Sequence, residues 1–284
     1  MTPDTRPTLT LLAIGAHPDD CDLGAGGLAA LYARAGHRVH FVAVTNGDAG
    51  HHETGGAPLA RRRRAEAEAA AAVIGIAYTV LDNHDGELEP SLPNRRAIIR
   101  LIREVRPDLV LTHRPNDYHP DHRYTSLLVQ DAAYMVTVPG IVAAAPHLAT
   151  DPVILYMSDS FQRPYPFAPD VIVPIDDVLD AKLDMLHQHA SQMYEWLPYN
   201  TGRARDVPLG DVERRAWLHA RYAPRFTEIA DRYRALLTTF YGPAQGDSVR
   251  YAEAFELSEY GASSPRDELA RLFPPFADAT GLVA

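Results

Sequence analysis

The 284-residue sequence predicts an α/β fold: a Rossmann-like, doubly wound and mostly parallel sheet with a C-terminal helical elaboration. Apolar runs of strand length alternate with Ala- and Leu-rich stretches of helix length through the first half of the chain. Strands that alternate with helices form parallel sheets with right-handed crossovers. The apolar runs are also nearly continuous, which indicates strands that are buried on both faces.

In the first half, each predicted strand is followed by a predicted helix. Leu9–Gly15 is an apolar run of strand length, and His37–Thr45 ends at the turn signal Asn46-Gly47-Asp48. Glycines and a proline close the predicted helices, as expected at helix ends. The other predicted strands are Ala77–Leu81 and Asp108–Thr112, and the predicted helices are Leu23–Ala35, Pro58–Ile74, Asn94–Val105 and a segment from about Tyr124 to Val136.

The second half of the sequence is less regular. Asp176–His189 reads as a helix opened by aspartates, Tyr194–Tyr199 as an aromatic loop with a proline, and Asp211–Phe240 as a long helical stretch in which a break at Pro224 stays open. We expect residues 1–200 to form the α/β catalytic domain and residues 201–284 a helical elaboration packed on the same domain. The predicted strands of this half are Pro152–Met157, Val171–Pro174 and Tyr251–Leu257.

Composition and charge exclude several classes of protein. The formal net charge of −10 makes the chain a poor candidate for nucleic-acid binding, which depends on neutralising phosphates. We expect no transmembrane helix, because no apolar run approaches 18 residues, and no signal peptide, because the N-terminus lacks its charge and hydropathy pattern. Cys21 is the only cysteine, so no intramolecular disulfide can form, which fits a cytoplasmic location.

Two short segments concentrate imidazole and carboxylate side chains, the ligands that divalent metals prefer. Ala16-His17-Pro18-Asp19-Asp20 follows the first predicted strand, and the segment from His113 to His122 follows the fourth. A doubly wound sheet of strand order 3-2-1-4-5 places strands 1 and 4 side by side, and ligands bind at the carboxyl ends of these strands. The sequence therefore predicts that the two segments meet in one metal site.

The spacing of these residues suggests a catalytic metal site rather than a structural one. His17 and Asp20 are three residues apart at a strand-to-helix turn and can converge on one ion, whereas Asp19 points elsewhere and is free to act as a base. His119 and His122 have the same spacing. Three ligands with one open position are typical of catalytic zinc. For Asp117, a turn role and a role behind the ligands both stay open.

These motifs resemble those of the PIG-L/LmbE family of zinc-dependent N-deacetylases. The first family motif is Ala-His-Pro-Asp-Asp followed by Gly-Gly, here Gly26-Gly27, and the second is His-x-Asp-His, here His119-Pro120-Asp121-His122. The resemblance covers roughly residues 10–192. One departure is Asp22, where the family usually has Glu; Cys21 beside it resembles the branch that includes chitobiose-type deacetylases.

The resemblance implies a role for each matching residue. Asp19 matches the general base, His119 the histidine that stabilises the oxyanion, and Asp121 its orienting partner. The residues that match the zinc ligands are His17, Asp20 and His122. The residues that resemble substrate-binding positions are Arg63, Asp85 and His189, the last within a weaker third motif.

We therefore predict a hydrolase with one zinc ion per chain that removes an acetyl group from an N-acetylglucosamine-type amine. Its partner would be a small N-acylated amino sugar or glycoside, with homo-oligomer formation left open. Two alternatives remain: an iron(II) oxygenase, since two histidines and a carboxylate also form its facial triad, and a non-catalytic, metal-stabilised sugar-binding module. A dinucleotide-like run, Gly24–Ala29, lies too far after the first strand to bind a cofactor, so its glycines are expected to serve close helix packing.

Overall fold

A computed structural model describes residues 8–262, 269 and 271–273, and its strands form one seven-stranded sheet of order β3-β2-β1-β4-β5-β7-β6. The first five strands are parallel, and β7 runs antiparallel between β5 and β6. The predicted fold class and the order 3-2-1-4-5 are confirmed. The strands are β1 Thr10–Gly15, β2 Arg38–Thr45, β3 Ala77–Asn83, β4 Leu109–Thr112, β5 Val153–Met157, β6 Val171–Pro174 and β7 Ala252–Leu257.

Helices cover both faces of the sheet. The predicted helices of the first half are confirmed within a few residues at their ends. The helices are α1 Asp20–Arg34, α2 Gly56–Ile74, α3 Leu92–Val105, α4 Pro120–Ala133, α5 Leu179–Gln188, α6 Leu197–Asn200, α7 Asp211–Arg232 and α8 Arg234–Ser248. Among the described residues, no helix combines the length and the apolar character that a bilayer crossing needs.

One prediction for the second half is wrong, and the structure decides the question left open at Pro224. The aromatic loop expected at Tyr194–Tyr199 is helical: a π-helical turn, Ser191–Trp196, leads directly into α6. Pro198 lies in the first turn of α6, where the π-helical turn passes into the α-helix. The long helix does not break at Pro224, which lies inside α7; it ends at Arg232 instead. The division at residue 200 stays a prediction, although β7 completes the same sheet as the first half.

Alternate residues of the central strands point to opposite faces and supply two hydrophobic cores. Every residue of β1, β4 and β5 is buried. Leu11 of β1 packs in the core that includes Leu28 of α1, whereas its neighbour Leu12 packs in the core that includes Ile98 of α3. Burial on both faces explains why these strands are apolar throughout, and it fixes β1 beside β4.

Gly27 allows α1 to lie close to the end of the sheet. A Cβ atom at this position would stand 2.5 Å from Ile175 Cγ2 and 2.9 Å from Glu253 Oε1. The Glu253 carboxylate accepts the backbone N–H groups of Gly27 and Leu28, so it has little room to move. The expectation that these glycines serve packing therefore has a structural basis at Gly27.

Gly27→Ala is expected to lower the free energy of unfolding by about 1–3 kcal/mol, because overpacking forces a buried neighbour to shift. Chemical denaturation measures the change. Gly140→Ala is the matched control, since a Cβ atom there meets nothing within 4 Å. A Gly27→Ala protein as stable as the control would show that α1 tolerates the extra methyl group.

Candidate metal centre

The first motif turns sharply between β1 and α1. Thr45 of β2 fixes this turn, because its backbone N–H and its hydroxyl both donate to the carbonyl oxygen of Ala16, at 2.8 and 2.9 Å. Asp20 Oδ2 accepts the N–H of His17 at 2.7 Å. Gly15 permits this close return, since a Cβ atom there would lie 2.7 Å from Asp20 Cβ. The turn therefore presents His17 and Asp20 at the carboxyl end of β1.

The second motif folds back over the carboxyl end of β4. Asp117 Oδ1 accepts the N–H of His119 at 2.9 Å, and His119 is the residue that precedes α4. The Nδ1 atom of His119 accepts the N–H of Asp121 at 3.2 Å and so caps the helix. These bonds place His122, in the first turn of α4, above the end of β1.

His17, Asp20 and His122 meet with the spacing of metal ligands. His17 Nδ1 lies 3.2 Å from His122 Nε2 and 3.3 Å from Asp20 Oδ2, and His122 Nε2 lies 3.5 Å from Asp20 Oδ1. Ligands about 2.0–2.1 Å from a tetrahedral ion stand about 3.3–3.4 Å apart. This spacing is compatible with one divalent metal ion. The predicted ligands are divided between overlapping groups of described side chains that could hold an ion. These groups are His17 with His119 and His122, His17 with Asp85, His119 and Asp121, and Asp20 with His113 and His122.

The nitrogen of each predicted ligand histidine that points away from the other two predicted ligands lies near at least one carboxylate. His17 Nε2 is 3.1 Å from Asp85 Oδ1 and 3.3 Å from Asp121 Oδ2, and His122 Nδ1 is 3.0 Å from Asp117 Oδ1. A carboxylate at this position favours a proton on the far nitrogen and leaves the near nitrogen with its lone pair. The carboxylates therefore favour, in both histidines, the tautomer that a metal ligand needs.

The expected partner of Asp121 needs correction. Its carboxylate stands 4.0 Å from His119 Nδ1, which is too far for a hydrogen bond, and lies closer to His17. Backbone N–H groups of the loop after β3 draw it away, because Gly86 and Leu88 donate to it at 2.7 and 3.3 Å. Asp121 is fully buried, and it therefore orients a predicted metal ligand rather than the predicted oxyanion group.

Asp19 lies beside the predicted metal ligands, and it contacts them through the backbone, where its N–H donates to the carbonyl oxygen of His17 at 2.9 Å. Its Oδ1 accepts a hydrogen bond from Arg63 at 3.1 Å. Its backbone adopts φ 158° and ψ −20°, a combination that residues other than glycine rarely take. Burial raises the pKa of the Asp19 carboxyl to about 6, although the Arg63 guanidinium opposes the shift. A carboxylate with this pKa suits a general base near neutral pH.

His119 is placed to donate a hydrogen bond. Because its Nδ1 accepts the Asp121 N–H, a neutral ring carries its proton on Nε2. Burial, together with the neighbouring His17 and His122 rings, lowers the pKa of His119 and favours this neutral form. The side chain is 26% exposed, and its ring meets that of His17 edge to face at 4.6 Å. The Nε2–H group is therefore available beside the metal ligands.

The three predicted substrate-binding residues are more buried than is expected of residues that contact a substrate. Arg63 is 2% exposed and holds Asp19, and Asp85 contacts His17. His189 needs correction as a substrate contact, because its ring is fully buried and its Nε2 lies 3.1 Å from Asp22 Oδ2. The C-terminal end of α5 packs this ring inside the protein, where a substrate does not reach it.

His113 also lies among these side chains, although the two motifs predict no role for it. Its ring stacks on that of His122, with centroids 4.0 Å apart and planes 13° from parallel. Its Nε2 accepts the N–H of Ala16 at 3.0 Å and lies 3.2 Å from Asp20 Oδ2. The position of His113, directly after the last residue of β4, was the signal that could have identified it.

Comparison with known proteins identifies a family and several relatives to which this chain is similar. Residues 12–133 match the family described as PIG-L: GlcNAc-PI de-N-acetylase. The diacetylchitobiose deacetylase of Thermococcus kodakarensis is 32% identical over 200 residues, which cover 66% of this chain and 74% of that protein. The 4-oxalmesaconate hydratase of Pseudomonas putida is 28% identical over 207 residues, covering 68% and 78%. The structure of the N,N'-diacetylchitobiose deacetylase of Pyrococcus horikoshii matches with a TM-score of 0.67, 26% identity and coverage of 88% and 84%.

Proposed function

The chain belongs to the PIG-L family, and from this we propose that it is a zinc-dependent hydrolase that removes the acetyl group from an N-acetylglucosamine-type amine. The observation that carries the proposal is the carboxylate of Asp19, which Arg63 holds beside the three predicted metal ligands and which is not itself one of them. Binding a sugar does not require such a base, and neither does oxygen activation at an iron centre. The deacetylase relatives support the choice of an amide as the bond that is cleaved.

Zinc would be held by His17, Asp20 and His122. When bound, such an ion lowers the pKa of a water molecule to about 7 and polarises a carbonyl oxygen. Two histidine nitrogens and a carboxylate oxygen at tetrahedral spacing favour zinc over a hard cation such as magnesium, which prefers oxygen ligands.

The protein's own groups would divide the remaining work. Arg63 engages Asp19 Oδ1, so the Oδ2 atom is left to take a proton from water as the water oxygen adds to the amide carbon. The His119 Nε2–H would donate to the oxygen that becomes negative in this step. Return of the proton from Asp19 to the amine nitrogen completes cleavage of the C–N bond and yields acetate and the free amine.

Charge favours a neutral amide over an anionic substrate. Arg63 is the described cation in direct contact with the site's carboxylates, and it is buried and engaged. A hydratase acting on a polycarboxylate such as oxalmesaconate would need exposed cations to bind it. The hydratase relative makes hydration the second candidate, but the excess of negative charge disfavours it. The carboxylates that face the cluster are Asp19, Asp20, Asp85, Asp117 and Asp121.

An amine-release screen tests the proposal. The zinc-loaded protein is incubated with N-acetylglucosamine, N,N'-diacetylchitobiose and N-acetylglucosaminyl glycosides, and free amine and acetate are measured separately. We expect both products in equal amounts from at least one substrate. Release of neither, together with loss of ultraviolet absorbance from an unsaturated polycarboxylate, would favour a hydratase. Recovery of an unchanged bound sugar would favour a binding module, and consumption of oxygen by the iron-loaded protein would favour an oxygenase.

A further inference from the structure

His17 and His122, two of the predicted metal ligands, each have a second ring nitrogen that lies near carboxylates and has no role in the proposed reaction. The far nitrogens, His17 Nε2 and His122 Nδ1, are both buried and make no well-aligned hydrogen bond to any described group. Each nevertheless has carboxylate oxygens within 3.0–3.3 Å. His17 shares its neighbours Asp85 and Asp121 with other groups, whereas His122 faces Asp117 alone among the described carboxylates at this distance.

We propose that Asp117 is a positioning residue that orients His122 for the metal ion, its carboxylate accepting the proton of Nδ1 so that Nε2 faces the cluster. The distance of 3.0 Å suits a charge-assisted hydrogen bond. The proposal rests on the metal site of the proposed function but not on the identity of the substrate.

The backbone holds Asp117 firmly enough for this task. Its Oδ1 accepts the N–H of His119 at 2.9 Å, and its side chain is 9% exposed. Arg123 of α4 donates to the carbonyl oxygens of Asp117 and Tyr118 at 2.7 and 3.2 Å. The carboxylate is therefore fixed relative to the helix that carries His122.

His113 would fix the plane of the same ring. It stacks on His122, and its Nε2 lone pair is occupied by the N–H of Ala16. His113 also forms a group with Asp20 and His122 that could hold an ion, but the Ala16 N–H occupies the lone pair that a metal ion would need. Asp117 thus sets the direction of the His122 ring, and His113 sets its tilt.

A purely structural role for Asp117 makes a different prediction. If its carboxylate served only the turn before α4, an asparagine would replace it, because the amide oxygen can still accept the His119 N–H. The charge that makes the His122 ring a better ligand would be lost. Because Oδ1 of Asp117 serves both contacts, Asp117→Asn removes only the negative charge on the His122 side, and Asp117→Ala removes both contacts.

The test measures binding of Zn²⁺ alone, by competition with a chromophoric chelator, and the absorption spectrum of the Co²⁺-loaded protein. We expect the Kd for Zn²⁺ to rise by about 10–100-fold in Asp117→Ala and by a smaller factor in Asp117→Asn, with an altered Co²⁺ spectrum in both. The thermal midpoint of metal-free Asp117→Asn should stay close to that of the wild type. Asp131→Asn is the control, since this α4 residue pairs with Arg95 away from the cluster.

Wild-type Zn²⁺ affinity and an unchanged Co²⁺ spectrum in Asp117→Asn would overturn the proposal and leave Asp117 as a turn residue. If Asp117→Ala does not fold, Asp117→Asn alone decides. Failure of the wild-type protein to bind either metal would refute the metal site and this proposal with it. Normal metal binding without amine release would refute the deacetylase and leave this proposal standing.

Discussion

Asp19→Asn is expected to lower kcat/KM for amide hydrolysis by about 10²–10⁴-fold, the usual contribution of general base catalysis. The amide has nearly the shape of the carboxylate and can still meet Arg63, but it cannot take a proton from water. The metal content should stay at the wild-type level, because the Asp19 side chain is not among the groups that could hold an ion. Steady-state kinetics and metal analysis on the same preparation give both readouts.

A matched control is available at Asp177, an exposed aspartate before α5. Asp177→Asn should match the wild type in both readouts. If Asp19→Asn retained near-normal activity, the base would have to be another group. If it lost its metal instead, Asp19 would be a ligand, and the division between base and ligands would be wrong.

The local pattern of the sequence predicts the sheet and the meeting of the two motifs. Continuous apolar runs mark strands buried on both faces, and alternation with helices restricts their order to few choices. Once β1 and β4 are neighbours, His17 and His122 must lie near each other. The candidate metal site is therefore predictable from the sequence in outline, because each of the two segments that carry its residues begins just after a strand.

The hydrogen-bond and ion-pair partners of the side chains around the predicted metal ligands cannot be predicted in the same way. Asp121 turns from His119 to His17 because two N–H groups come from the loop after β3, about 35 residues away in sequence. No periodicity records which loop will fold over which carboxylate. The burial of His189 likewise depends on how the end of α5 packs, which a local pattern does not contain.

The helical conformation of residues 191–200 also depends on contacts with residues that are remote in sequence. Ser191 donates its N–H and its hydroxyl to Glu66 of α2, and Glu195 forms a bidentate pair with Arg62 of the same helix. Gln192 also donates to the carbonyl oxygen of Gly50. These contacts stabilise a π-helical turn, a form that is rare and often found at functional sites. Turn-forming residues alone predict a loop there, because these partners are remote in sequence.

Asp20→Asn is expected to have the second large effect, loss of the metal ion and of activity together. Asp20 is the hub of the cluster, because its oxygens lie 3.2–3.5 Å from His17, His113 and His122. A neutral amide there leaves the histidines without an anionic co-ligand. Since metal catalysis contributes several kcal/mol, kcat/KM should fall by about 10³-fold or more, as it should when the wild type is treated with a chelator.

Thermal stability provides an independent measurement of metal loss in Asp20→Asn. A metal ion that binds only the folded protein adds about 2.7 kcal/mol at a free concentration 100 times its Kd. Zn²⁺ should therefore raise the thermal midpoint of the wild type and of Asp19→Asn, but not that of Asp20→Asn. Chelation should leave Asp20→Asn unchanged, because there is no bound ion to remove. Equal stabilisation of both variants by Zn²⁺ would place the ion elsewhere. Loss of this stabilisation in Asp20→Asn alone would show that Asp20 holds the metal ion and that the adjacent Asp19 does not.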